Sequence, residues 1–217
     1  MVDKFLNTDY QEFLNDQQFC ENWLVNNQGE CQPYFPNFEQ EFAEPYRLYR
    51  FLTDLENILN MDIDQEGRIN AIILSVRQLL TSADWLHTNY AKPNPQTGWS
   101  ITSIYQEPNY PITLQTVAWN PGNVSPVHNH ASWGVVAIIS GEEKNTFWRR
   151  SLDNSTKLEK TSEKVLVAGD IVGFTPDAIH CVEPLGQEPC ITFNLYGEAD
   201  YSQRYEFDTI RHTAKNF

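Results

Sequence analysis

The run "GNVSPVHNHASWGVVAIISG", residues 122–141, sets two histidines, His128 and His130, between a turn-rich approach, "NPGNVSP", and a β-branched run, "VVAIIS". Alternate side chains of a strand project to the same face, so these two imidazoles can address one ion. A third ligand has to come from a different strand, and "FTPDAIHCVEP" supplies His180 behind a Gly169-Asp170 turn. The chain has five histidines in all. His87, at the end of a helical stretch in "ADWLHTNY", and His212 lack such companions and read as ordinary surface or core residues.

Outward from this run the chain is rich in short β segments. "ITLQTVAW", "VVAIIS", "NTFWRR", "KVLVAGDIVGF" and "ITFNLYG" are separated by Gly, Pro, Asn and Asp clusters, the pattern of a sandwich or barrel, the jelly roll included. Upstream, "KPNPQTG" (92–98) interrupts a different pattern. "RLYRFLTDLENILN" and "GRINAIILSVRQLL" carry apolar residues at helical spacing, with Pro45 placed to suit a first helical turn, and a weaker helix is expected over "DYQEFLNDQQFCENWLV". Residues 1–91 are therefore read as a helical segment packed on a mainly β barrel of residues 92–217, one structural unit. Leu48, Leu52, Leu55, Ile72, Val76 and Leu79 are expected to be buried, with the acidic residues outward.

The net charge is −14, and residues 1–66 hold 14 Asp and Glu against 3 Lys and Arg. This balance argues against nucleic-acid or anionic-membrane partners, because phosphate binding needs clustered Lys and Arg. No apolar run approaches the length of a membrane span, and "MVDKFLNTDY" lacks a signal-peptide pattern, so a cytoplasmic address is expected. Cys20, Cys31, Cys181 and Cys190 form no C-x-x-C and read as reduced thiols. Cys181 and Cys190 are expected to flank a hairpin, on opposite sheet faces. No feature of the chain sets an oligomeric state.

The spacing from Gly122 through His128 and His130 to Gly141 resembles the first cupin motif, and "GDIVGFTPDAIH" resembles the second. The resemblance implies a double-stranded β-helix with the histidines turned into its lumen. Many cupins place a glutamate ligand four residues after the second histidine, where this chain has Gly134. The site would then be three neutral imidazoles, leaving a divalent ion its full charge and favouring an anionic ligand such as a thiolate.

"SPVHNHASWGVV", "AIHCVEP" and "TFNLYG" are together similar to the thiol dioxygenases, the family of cysteine dioxygenase and the mercaptopropionate dioxygenases. That resemblance implies a non-haem ferrous ion held by His128, His130 and His180, dioxygen as co-substrate, and oxidation of a small thiol carboxylate to a sulfinic acid. Ni²⁺, Zn²⁺ or Cu²⁺ can substitute, since these outrank Fe²⁺ in intrinsic affinity. The family's Ser-x-His-x-Tyr relay falls on Thr192, Asn194 and Tyr196. Only the tyrosine is unchanged, and Asn194 can hydrogen-bond but cannot titrate. The cysteine that some members join to this tyrosine also falls on Gly134, so no crosslink is expected. The carboxylate-binding arginine of one branch aligns with Thr102; in the other branch it follows the relay tyrosine, where Arg204 stands, with Arg149 and Arg150 as weaker candidates. Two alternatives stay open: another metal-dependent cupin dioxygenase, such as a diketone-cleaving enzyme, and a non-catalytic metal-binding cupin.

Overall fold

The computed structural model describes residues 20–34, 46–110, 112–153 and 156–217. Two helices, α1 (Leu48–Leu59) and α2 (Gln65–Ser82), cover one face of a seven-stranded sheet, and a six-stranded sheet faces it from the other side. In chain order the strands are β1 (Asn22–Val25), β2 (Cys31–Tyr34), β3 (Trp99–Gln106), β4 (Thr113–Trp119), β5 (Val127–Asn129), β6 (Gly134–Ser140), β7 (Glu142–Arg150), β8 (Leu158–Val167), β9 (Ile171–Phe174), β10 (Ile179–Pro184), β11 (Cys190–Tyr196), β12 (Tyr205–Asp208) and β13 (Thr213–Asn216). The first sheet runs β2-β1-β9-β6-β11-β4-β3 and the second β13-β12-β5-β10-β7-β8. From β4 to β12 successive strands change sheet at every step except β7 to β8, which makes a double-stranded β-helix of the jelly-roll kind, as expected from the punctuation of the sequence.

The helices explain why some strands read as continuous apolar runs. In β6, Val135, Ala137 and Ile139 pack against the helices, while Val136 and Ile138 belong to the core between the sheets. A strand covered on both faces loses its polar alternation. In β11 the same parity sends Ile191, Phe193 and Leu195 to the helices, where Phe193 meets Phe51 of α1 edge to face. Thr192, Asn194 and Tyr196 are left to face the barrel interior.

The two helices fall where their spacing places them. Asp64 caps α2 by accepting a hydrogen bond from the Gly67 amide at 2.8 Å. Leu55, Ile72, Val76 and Leu79 are fully buried; Leu48 and Leu52 are only partly covered, because the inward face of α1 is centred on Phe51, Leu55 and Ile58. Glu56, Asp62 and Glu66 are exposed, as expected of the acidic surface.

Residues 22–25 depart from expectation. Their apolar residues were assigned to the end of a helix, but they form β1, parallel to β9, and turn through Asn26–Gly29 into β2. Gly29 sits at φ 67°, and its amide donates to the Asn26 carbonyl at 3.0 Å, closing the turn that a helix would have run through. Residues 9–19 of that expected helix, and Pro45, lie outside the described residues. A second correction concerns Cys181 and Cys190: β10 and β11 lie in different sheets, so residues 185–189 cross between sheets and form no hairpin. None of the four cysteines forms a disulfide.

Arg77 of α2 is buried and fastens β1 to the barrel. Its guanidinium donates to the Gly169 carbonyl, to Asn22 Oδ1 at 2.5 Å and to the Glu21 carbonyl at 3.2 Å. Replacing it by a side chain of similar length without donors strands these acceptors. Arg77→Met is expected to lower unfolding stability by about 3 kcal/mol, measured by urea denaturation; a loss within experimental error would show that the three bonds are dispensable.

Candidate metal centre

His128 lies on β5, His130 one residue beyond its end, and His180 opposite His128 in the β5–β10 ladder. The same parity that turns Val127 and Ile179 to the outer cluster of the six-stranded sheet turns the imidazoles inward. Their possible ligand atoms all lie within 4.8 Å of one another, and the Nε2 atoms of His130 and His180 are 2.9 Å apart. His128 donates its Nδ1 proton to the Pro126 carbonyl at 2.9 Å, and His180 donates its own to Asn145 Oδ1 at 2.9 Å. With Nδ1 so engaged, both present an Nε2 lone pair to the cavity.

Burial holds His128 below the usual imidazole range, an effect partly offset by the Pro126 carbonyl. Burial and mutual repulsion hold His130 and His180 well below it. Neutral imidazoles crowded together with converging lone pairs are the donor set of a divalent transition ion. The residues present therefore fit a metal, and their chemistry alone does not single out which one. Among the described residues no carboxylate joins the cluster. At the expected position of one, a Cβ on Gly134 would lie 2.8 Å from Tyr196 Cδ1, so the tyrosine ring occupies the space a side chain would need.

Tyr196 also stacks on His130, with centroids 4.6 Å apart and planes at 24°. Its hydroxyl donates to Asn194 Oδ1 at 3.0 Å, and Asn194 Nδ2 donates to Thr192 Oγ1 at 2.7 Å. Thr192, Asn194 and Tyr196 thus form one hydrogen-bonded chain along β11. Burial raises the Tyr196 phenol further above its ordinary value, so it stays protonated.

These groups line a cavity of about 240 Å³, with Arg204 at one side and an apolar wall of Trp99, Ile101, Val117 and Trp119 at another. Among the described residues Arg204 forms no ion pair, with Asp208 bound by Arg211, and its buried Nε meets no hydrogen-bond partner. Its guanidinium carbon lies 4.3 Å from the centre of the Phe217 ring, at the edge of the same cavity. The other candidates are elsewhere. Thr102 accepts a hydrogen bond from the Ala91 amide, on the side of β3 away from Trp99 and Ile101, so the position that faces the cavity is Ile101. Arg149 is paired with Glu159 at 2.9 Å, and Arg150 packs over Tyr205 and Phe207 on the outer face. His87 and His212 do not line the cavity.

Among the cavity residues that escaped the reading of the sequence are Glu143 and Asn145 of β7. Both are buried, and burial pushes the Glu143 carboxyl up to about 7. The signal that could have found them is parity: they share a strand face with Phe147, an apolar residue of the inner core.

No family model matches the chain. Among solved structures it is similar to an oxalate oxidase in complex with glycolate, at 18% identity over 48% of this chain and 53% of that one, with a TM-score of 0.37. It therefore spans about half the length of that protein. It is also similar to an uncharacterized conserved protein with a double-stranded β-helix domain from Klebsiella pneumoniae subsp. pneumoniae (18% identity, 52% and 83% covered, TM-score 0.41). A third is a cupin domain of an XRE family transcriptional regulator from Enterobacter cloacae (16% identity, 46% and 96% covered, TM-score 0.35). The fold itself rests on the strand order of the chain.

His180→Ala removes one of the three donors while leaving β10 paired on both sides. The variant is expected to fold and to lose its metal by elemental analysis; full metal retention would rule the three-histidine site out.

Proposed function

We propose that the chain is a non-haem iron thiol dioxygenase that oxidises a small thiol carboxylate, such as cysteine or 3-mercaptopropionate, to its sulfinic acid. The observation that carries this reading is the shared cavity. It sets three neutral imidazoles beside a guanidinium that pairs with no carboxylate among the described residues, an arrangement suited to an anion bearing a second negative group. In the overall reaction both atoms of dioxygen pass to sulfur, and the sulfur supplies all the electrons that dioxygen takes up. A ferrous ion held by His128, His130 and His180 would supply the redox chemistry, stabilising the thiolate and bringing dioxygen into reaction with it.

The residues of the chain do the positioning. Arg204 takes the far carboxylate in a bidentate pair, which fixes how deep the sulfur reaches. The aliphatic linker of the substrate lies along Ile101 and Val117. Tyr196 stays protonated and belongs to a hydrogen-bonded chain that satisfies its partners in either direction. If the Asn194 amide turns over, Thr192 donates to Asn194, Asn194 donates to Tyr196, and the phenol is released to donate into the cavity. Asn194 thus passes hydrogen-bond direction without taking up a proton, unlike a histidine at the same place.

The apolar wall favours one competitor, a dioxygenase cleaving carbon–carbon bonds of a diketone, whose substrate needs no carboxylate clamp. Oxygen uptake by iron-reconstituted protein offered cysteine, 3-mercaptopropionate and cysteamine in parallel separates the two. Uptake is expected with the thiol carboxylates, with a sulfinate as product. No thiol-dependent uptake, with iron demonstrably bound, sinks the proposal and promotes the competitor. Tyr196→Phe is expected to lower kcat by about 100-fold while leaving thiol binding nearly unchanged.

A further inference from the structure

His180 Nδ1 donates to Asn145 Oδ1 at 2.9 Å, Asn145 Nδ2 donates to Glu143 Oε1 at 2.9 Å, and the Cys190 thiol donates to Glu143 Oε2 at 3.8 Å. All four residues are buried, so none has bulk water as an alternative partner. From this chain we infer that Glu143 is a positioning residue for the metal centre, one that sets the tautomer of His180 through the amide of Asn145. The inference rests on the reading of His180 as a metal ligand.

The logic is one of donors and acceptors. An asparagine amide can face a histidine with either its oxygen or its nitrogen. With the oxygen toward Nδ1, the imidazole proton sits on Nδ1 and the Nε2 lone pair points into the cavity. With the NH₂ toward Nδ1, the proton moves to Nε2, and the lone pair needed for a metal is gone. In isolation the two orientations differ little. As a carboxylate, Glu143 removes the choice through Oε1, because an acceptor there is matched only by the amide NH₂. Cys190 holds the other carboxylate oxygen, so Glu143 is itself fixed at both ends. Outer groups of this kind typically change metal affinity by about 10- to 100-fold.

The test combines a tautomer readout on metal-free protein with Zn²⁺ affinity measured by chelator competition. Imidazole ¹⁵N shifts of the metal-free wild type, assigned against His180→Gln, are expected to show His180 protonated at Nδ1. Glu143→Leu is expected to mix the tautomers and weaken Zn²⁺ binding by about tenfold or more. Glu143→Gln, an amide that can itself turn either face to Asn145, should retain both properties only in part. Glu143→Leu combined with Asn145→Asp should recover them, since an aspartate offers His180 only acceptors and needs no orienting partner. A purely structural role for Glu143 would show no such recovery. An Nε2-protonated His180 in the wild type overturns the inference, and that measurement holds even if Glu143→Leu does not fold. Wild-type affinity and tautomer in Glu143→Leu overturn it as well. A wild type that binds no Zn²⁺ overturns the metal reading instead, while the tautomer of the metal-free protein still decides the role of Glu143.

Discussion

Strand β11 is covered on both faces, and that constraint shapes the site. Ile191, Phe193 and Leu195 are held against α1 and α2, so the alternate positions have only the barrel interior to face. Because the side-chain period of a strand is two residues, a slip by one would bury Asn194 against the helices and expose Phe193 to the cavity. The apolar residues thus lock the register that aims Thr192, Asn194 and Tyr196 at the histidines. The neighbouring strands follow the same division, with Leu114 and Ala118 of β4 turned to the helices and Gln115, Val117 and Trp119 to the cavity. The helical layer therefore acts on the site without touching it.

The interior it creates treats charge in a particular way. Burial keeps the three imidazoles neutral, and no carboxylate of the cluster offsets a bound cation. An ion placed there keeps its full charge, which draws a negatively charged ligand more strongly than a site already neutralised by its protein donors. The Tyr196 ring closes the place beside Gly134 where a fourth protein ligand would have to start. The same ring stacks on His130, and its hydroxyl ends the hydrogen-bonded chain of β11. Near the start of β7, burial raises the Glu143 carboxyl, and hydrogen bonds from Asn145 and Cys190 partly counter the effect.

Much of this was legible in the residues before any coordinates. His128, His130 and His180 are separated by fifty positions yet share a strand parity that only an inward-facing site uses, and the helices show through the spacing of Phe51, Leu55, Ile72 and Val76. β1 was hidden because Trp23 and Val25 fit an amphipathic helix as well as a strand, and only pairing with β9, far along the chain, decides between them. Thr102 aligns with a family arginine, yet its hydroxyl meets the Ala91 amide while Ile101 beside it lines the cavity, because in a strand one residue decides which face a side chain takes. Asn145 and Glu143 gave no composition signal at all. Polar residues on a strand are usually solvated, and their role emerges only when β7 is seen beside β10.

The central claim is that three imidazoles hold one ion with room beside it for a thiolate. X-ray absorption on the iron-loaded protein measures this directly, before and after cysteine or 3-mercaptopropionate is added under anaerobic conditions. The account predicts imidazole scattering from three ligands in a light-atom first shell, and a sulfur scatterer that enters that shell with the thiol. A first shell that stays free of sulfur at saturating thiol, or that contains a protein carboxylate in place of one imidazole, would contradict it.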